Sequence, residues 1–296
     1  MGTFVQQCIN GLTIGCTYAL VAVGFTLIFG VLRVVYLSHG AVLAASSYLG
    51  LYALAYSGSV LIAIATGIIG GALLGFIVEY MTVRPFRGQN HLIPMVATAS
   101  VATIIQEVLR LTFQGGQPIA YPRAITSALY EWKFSEFRIY VTLGQITIAL
   151  VAILLVVALN LAVKRSWMGR GIRSVADSEW VSSLLGVHVN AISAQTVALG
   201  SSLAGAAGVL LGLTVPAIDP HFGETLQFKA LAITLFAGLG SVPGAVIGGI
   251  MLGLVEAFAS GYLATSYRDL FAYVMMIVIL SVRPAGLLGR QPAQRV

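Results

Sequence analysis

Of 296 residues, 58% are hydrophobic and only 9% are charged, and the mean hydropathy is +0.94. Soluble domains carry about 25% charged residues, so this composition excludes a soluble globular protein and predicts an all-α polytopic membrane protein. The net charge of +6 does not argue for a nucleic-acid partner, because basic residues of such a chain belong to the cytoplasmic connections between spans.

Apolar runs of about 20 residues are candidate spans. The first covers 8–32 and holds both cysteines, Cys8 and Cys16. On a helix these lie about 12 Å apart, too far for a disulfide. No positive n-region or small-residue cleavage site precedes the run, so it reads as a retained span. The region 41–78 is too long for one span, and Ser57, Gly58 and Ser59 offer a turn inside it. Arg84, Arg87 and His91 then mark a basic connection. A further span covers 92–113, with Pro94 tolerated in its first turn. Glu107 and Arg110 are spaced to pair on that helix, and Glu79 with Arg84 marks its inner rim.

Residues 114–140 are polar and aromatic. Gly115, Gly116, Pro118 and Pro122 break helix, and the alternation over 130–134 and 138–141, interrupted at Ser135 and Glu136, predicts a hairpin outside the membrane. A clean span at 141–163 leads into the charged segment 164–187. Four of the sixteen basic residues, Lys164, Arg165, Arg170 and Arg173, fall there within ten positions, which predicts a cytoplasmic location. In its second half Asp177, Trp180, Val181, Leu184, Leu185 and His188 recur at three- and four-residue spacing. That pattern predicts a short amphipathic helix near 176–188 with one mainly apolar face, a shape suited to docking another protein.

The next span, 191–214, is rich in Gly, Ala and Ser, which lets neighbouring helices approach closely. Residues 228–258 read as an apolar region interrupted by Gly238, Gly240, Pro243 and Gly244. Two readings fit, two short spans or a pair of half-helices, and parity favours the second, a broken or re-entrant helix pair that enters and returns on one face. The last span, 270–282, is followed by Arg283, Arg290 and Arg295, which predicts a cytoplasmic C-terminus. About eight transmembrane helices result, in one domain over 1–296.

Broken helices inside membranes commonly form substrate sites. Two sequences, Gly40-Ala41-Val42-Leu43 and Gly244-Ala245-Val246-Ile247, each follow a polar or turn residue and open an apolar helix. Their N-termini would present free N–H groups to a carboxylate. Ser38, His39, Gly40, Tyr48, Ser241 and Gly244 are therefore candidate pathway residues. Glu256, an ionisable group inside the membrane, joins them. Tyr18, Gln106, Gln145, Asn160 and Gln195 are candidates to tie helices together.

Five motifs carry a resemblance to a known family. Gly11-Leu12 with Gly15, Tyr18-Ala19-Leu20, Ala22 and Gly24 resembles an opening GLxxGxxYALxAxG. Leu37-Ser38-His39-Gly40 resembles FAHG, and Gly115-Gly116-Gln117-Pro118 with Tyr121-Pro122 resembles an extracytoplasmic GxxP loop. Gly238 to Ala245 resembles GxGSxPGA, and Arg283-Pro284-Ala285-Gly286-Leu287-Leu288-Gly289 resembles a closing RPxGLxG. In this order they resemble the LivH-type membrane permease subunits of branched-chain amino acid ABC importers, over nearly the whole chain.

The resemblance implies a permease that takes a branched-chain amino acid or a related small polar substrate across the bacterial inner membrane by alternating access. It implies two ABC ATPase subunits, a second, LivM-type permease forming a heterodimer, an extracytoplasmic solute-binding protein and a lipid bilayer as partners. It also assigns the segment containing Asp177, Glu179, Trp180, Val181, Leu184, Leu185 and Gly186 as the coupling helix that meets the ATPase. Where the family often has Glu-Ala-Ala before Leu-Leu-Gly, this chain has Trp180, Val181 and Ser182, and its carboxylates stand earlier, at Asp177 and Glu179. The chain has no phosphate-binding Gly-Lys step, no zinc spacing and no nucleophile elbow, so no enzyme activity, bound cofactor or metal is expected of it. The alternative is an autonomous secondary transporter with a midplane substrate site, for which Glu256 is the lone candidate carboxylate.

Overall fold

The computed structural model describes residues 2–122, 129–134, 137–263, 267–283, 286 and 288. Helix α1 (Gly2–Leu32) is followed by α2 (His39–Ser57) and α3 (Val60–Val78), which runs into a π turn at Glu79–Val83. Then come α4 (Leu92–Thr112), the strands β1 (Leu129–Phe134) and β2 (Phe137–Thr142), and α5 (Leu143–Arg165). Helices α6 (Trp167–Asp177) and α7 (Glu179–Leu184) precede α8 (Val189–Gly212), α9 (Phe222–Ala237), α10 (Val242–Tyr262) and α11 (Arg268–Val282). Among the described residues six helices are long and apolar enough to cross a membrane: α1, α3 with its π turn, α4, α5, α8 and α10.

The expected turn between α2 and α3 falls at Gly58, whose φ of 64° suits glycine. The strands pair antiparallel from Leu129 with Thr142 to Phe134 with Phe137, as the alternation predicts. Thr142 then opens α5 with a capping box shared with Gln145.

Helix α1 is the central column. Lipid tails are as apolar as leucine, so no hydrophobic drive pulls spans together, and close packing must do it. A Cβ at Gly15 would lie 2.8 Å from the Ile250 α-carbon, and one at Gly253 would meet the backbone of Gly15 and Gly11. Helices α1 and α10 thus lie backbone against backbone, antiparallel, from Gly261 beside Gln7 to Gly240 beside Gly30. On another face Gly24 meets Gly200 of α8, and α8 in turn receives Gly67 of α3 at Gly205. The small-residue run at 200–208 is what permits this.

Over 228–258, α9 and α10 form an antiparallel pair whose break lies at the end of α1 rather than midway along it. Helix α10 is a full-length span of 21 residues, while α9 has 16. The turn at Gly238–Ser241 sits level with the end of α1, where Gly240 lies beside Gly30. The two expected half-helices are thus replaced by one short helix and one full span. Helix α11 returns alongside, and Leu288 N–H donates to Ala237 O at 3.0 Å. Of the closing arginines, Arg290 and Arg295 lie outside the described residues.

The two ends of the bundle are closed differently. At the end bearing the β1–β2 hairpin, Ile119 and Ile218 exchange backbone hydrogen bonds of 2.9 Å, joining the loops after α4 and α8. Tyr121 donates to Ser47 O at 2.5 Å and lies against Gly212. Burial pushes its phenol pKa up, so it acts as a neutral donor. The other end carries α6 and α7.

If the α1–α10 contact holds the bundle, Gly253→Leu should lower the thermal midpoint of the detergent-solubilised protein sharply, since overpacking costs about 1–3 kcal/mol or more. Gly30→Ala, whose added Cβ would stand 3.5 Å from the Gly240 α-carbon, should leave the midpoint near that of the unaltered protein.

Candidate functional site

The charged segment forms two helices rather than one across 176–188. Ser166 caps α6 by accepting from Gly169 N–H at 2.9 Å. The chain then becomes extended at Ser178 (φ −157°, ψ 114°), which caps α7 by accepting from Val181 N–H at 3.3 Å. Two serine caps within twelve residues start two short helices where periodicity alone predicts one. Asp177 therefore ends α6 and Glu179 begins α7. Arg33, at the end of α1, donates to Ala176 O at 2.8 Å and anchors the last turn of α6.

Helix α7 turns its polar side inward. Ser182 is buried and shares a 2.7 Å hydrogen bond with Ser174 of α6. Its apolar residues face out: Trp180 is 71% exposed, Val181 45%, Leu184 66% and Leu185 75%. Asp177 and Glu179 flank them, also exposed. Gly186 follows at φ 81°, and Gly186 N–H donates to Ser183 O at 3.1 Å. A side chain there would strain the turn that leads into α8. Fully burying side chains of this size is worth about 1.5–3 kcal/mol each, so the exposed face is an energetic cost in a lone chain.

Inside the bundle the main constellation is ionic. Glu256 of α10 is fully buried. Lys229 Nζ of α9 lies 2.8 Å from its Oε1, an ion-pair contact without hydrogen-bond alignment. Arg268 Nε of α11 donates to Glu256 Oε2 at 2.5 Å, and Tyr18 OH of α1 donates to the same oxygen at 2.7 Å. Lys229 also pairs with Asp269 at 2.7 Å. Glu256, Lys229 and Arg268 thus meet at the Tyr18 hydroxyl, and the exposed Asp269 balances the second cation. Glu256 is not the isolated carboxylate that the sequence suggests, and the feature favouring ion coupling is gone.

At both helix starts proposed to offer free N–H groups, the leading glycine is already bonded. Gly40 N–H donates to Gln227 Oε1 at 2.7 Å, and Val42 N–H to Ser38 O at 2.9 Å. Gly244 N–H donates to Ser241 Oγ at 3.2 Å. Ser38 is buried and donates to Thr98 O at 2.5 Å; His39 is buried with Nε2 3.3 Å from Val21 O. Tyr48 is buried and stacks on Phe113, with ring centroids 4.9 Å apart.

Near the hairpin end a cavity of about 410 Å³ opens beside α1. Gln7, Asn10, Thr13 and Thr17 of α1 face it, with Gln145 and Arg268 opposite. None of Ser38, His39, Gly40, Tyr48, Ser241, Gly244 or Glu256 lines it.

Of the polar residues expected to tie helices, three do so in the described contacts: Tyr18 to Glu256, Gln106 to Glu224 at 2.8 Å, and Gln145 to Asn10 at 3.0 Å. Glu107 and Arg110 pair at 2.5 Å. Glu79 pairs with Arg87 at 3.6 Å, while Arg84 instead lies over the Tyr80 ring. The reading from sequence missed Lys229, Arg268 and Asp269. A signal existed: Lys229 is the only lysine after Lys164, and a lysine in an apolar run needs an acid nearby.

A family model described as branched-chain amino acid transport system / permease component matches residues 7–280. The LivH high-affinity branched-chain amino acid transport system permease protein of Escherichia coli is 33% identical, covering 99% of this chain and 98% of that protein. BraD of Pseudomonas aeruginosa, with the same description, is 34% identical at the same coverage. Among solved structures, PsaBC from Streptococcus pneumoniae in complex with Fab superposes with a TM-score of 0.52 at 12% identity, covering 95% of this chain and 92% of that one. That last likeness concerns the fold alone.

Removing one member of a buried ion pair costs about 3–5 kcal/mol. Lys229→Met should therefore depress the thermal midpoint strongly. Lys229→Met with Glu256→Gln leaves Arg268 and Asp269 balanced and should recover much of the loss in the same melt.

Proposed function

The chain belongs to the family of branched-chain amino acid transport system permease components, and on that premise we propose that it is the membrane-spanning subunit of a binding-protein-dependent ABC importer, moved from outside through α7. The supporting observation is the orientation of α7, with Ser182 turned to the protein and Trp180, Val181, Leu184 and Leu185 turned to solvent. A surface helix of a complete protein would be arranged the other way round. This arrangement suits a helix whose partner is another subunit.

In this reading two ABC ATPase subunits bind and hydrolyse ATP, and one of them covers α7. The end bearing α6, α7 and the last turn of α11 is cytoplasmic, and the hairpin end faces the extracytoplasmic solute-binding protein. A second permease of LivM type completes the membrane core in the bacterial inner membrane. Closure of the ATPases moves α7 and α6, and through Arg33 the foot of α1, which alternates access between the two sides. The substrate is a branched-chain amino acid, by analogy with the LivH and BraD relatives. No tight site is required in the membrane, because the binding protein selects the ligand.

Leu184→Asp with Leu185→Asp places two carboxylates where an apolar contact should form. The double variant should remain folded and in the membrane, yet lose both copurifying ATPase and leucine uptake. Uptake at the level of the unaltered protein would exclude α7 as the point of coupling.

A further inference from the structure

Besides the bond from Ser182 to Ser174, α7 is tied to the bundle through the guanidinium of Arg87. Arg87, in the connection between α3 and α4, places Nη2 3.6 Å from Glu79 Oε1 and Nε 3.5 Å from Glu179 Oε1. Its Nη1 donates to Asn190 Oδ1 at 2.5 Å. One side chain thus joins the π turn at the foot of α3, the first residue of α7 and the first turn of α8.

The two carboxylates differ in kind. The Glu79 side chain is 1% exposed, whereas that of Glu179 is 53% exposed. A buried carboxylate is costly to leave without its cation, while an exposed ion pair makes and breaks at little cost. Arg87 is therefore anchored at Glu79 and loosely held at Glu179.

The surroundings of Glu79 are poised for rearrangement. It opens the π turn Glu79–Val83, an irregularity common at functional positions. Glu79 Oε1 beside Ser193 Oγ, and Tyr36 OH beside Ser201 Oγ, are buried pairs without an aligned hydrogen bond among the described residues. Ser193 and Ser201 belong to α8, Tyr36 to the link between α1 and α2, and Ser201 lies against Gly75, one turn before Glu79. Buried polar atoms so imperfectly paired beside the Glu79–Arg87 contact give this region alternative bonds to form.

We propose that Arg87 is the positioning residue that relays displacement of α7 to the spans α3 and α8. Glu179 moves with α7 and pulls on Arg87, and Arg87 draws on Glu79 and Asn190 in the two spans. The relay rests on the reading of α7 as the docking helix. It assigns Glu179 an inward partner, so that α7 docks through its apolar face and transmits through its carboxylate.

The test uses the complete transporter, with ATPases and binding protein, reconstituted in liposomes, and reads substrate uptake and ATP hydrolysis on the same sample. Arg87→Gln should keep its ATPase subunits and lose uptake per ATP by roughly fivefold or more, the size of a typical coupling free energy. Arg87→Lys keeps the charge but not the fork that reaches three partners, so it should recover part of the ratio. Glu179→Gln leaves Glu79 paired, removes no buried contact, and should lower the same ratio. An unaltered ratio in Arg87→Gln or in Glu179→Gln overturns the relay. So does loss of the ATPase subunits from Arg87→Gln, since Arg87 would then only hold the docking surface in shape. If the unaltered chain itself retains no ATPase, the docking reading fails first and the relay falls with it.

Discussion

The contact on which the rest of this molecule depends is the glycine-lined approach of α1 to α10 and α8. In a bilayer the helices gain nothing from leaving lipid for each other's apolar side chains. They gain from close van der Waals contact, and contact is closest where side chains are absent. Gly15 and Gly253 bring α1 onto α10, and Gly24 and Gly200 bring it onto α8. That column sets Tyr18 against Glu256 in the interior and Arg33 against Ala176 at the surface. The buried charges and the surface helices are thus both referenced to α1.

The charges add orientation to packing. Lys229, Glu256, Arg268 and Asp269 come from three successive helices, α9 to α11, and close around one hydroxyl. Buried Lys229 and Glu256 would each be costly in the membrane alone; with the more exposed Arg268 and Asp269 the group is neutral and bonded. Such a knot fixes the register of α9 to α11 against α1 more sharply than smooth apolar surfaces could. A chain that must move as rigid parts needs registers of this kind. The loosely paired Arg87 at the opposite end is a natural contrast: two ion networks, one locked and one with slack.

Much of this was legible in the sequence. Hydropathy marked the apolar runs in which the long helices lie, the glycine at 58 a turn, and the alternation on either side of 135 a hairpin. The apolar residues of α7 followed from spacing alone. Three features escaped. The division of 176–188 at Ser178 depended on capping, a single hydrogen bond that periodicity averages away. The partners of Glu256 are up to 238 residues distant in sequence, and a window dominated by leucine and alanine conceals Lys229. The free N–H groups expected at Gly40 and Gly244 were filled by Gln227, from another helix, and by Ser241, from the cap itself. Local pattern reports which residues share a face; it does not report which side chain arrives from elsewhere to complete it.

The account turns on α7 being an apolar face awaiting a subunit. Labelling tests this most directly: with Cys8 and Cys16 replaced by serine, Leu185→Cys is exposed to a water-soluble maleimide in membranes made with and without the ATPase subunits. The account predicts rapid modification in the permease alone and strong protection once the ATPases are assembled. Equal modification in both membranes would contradict it.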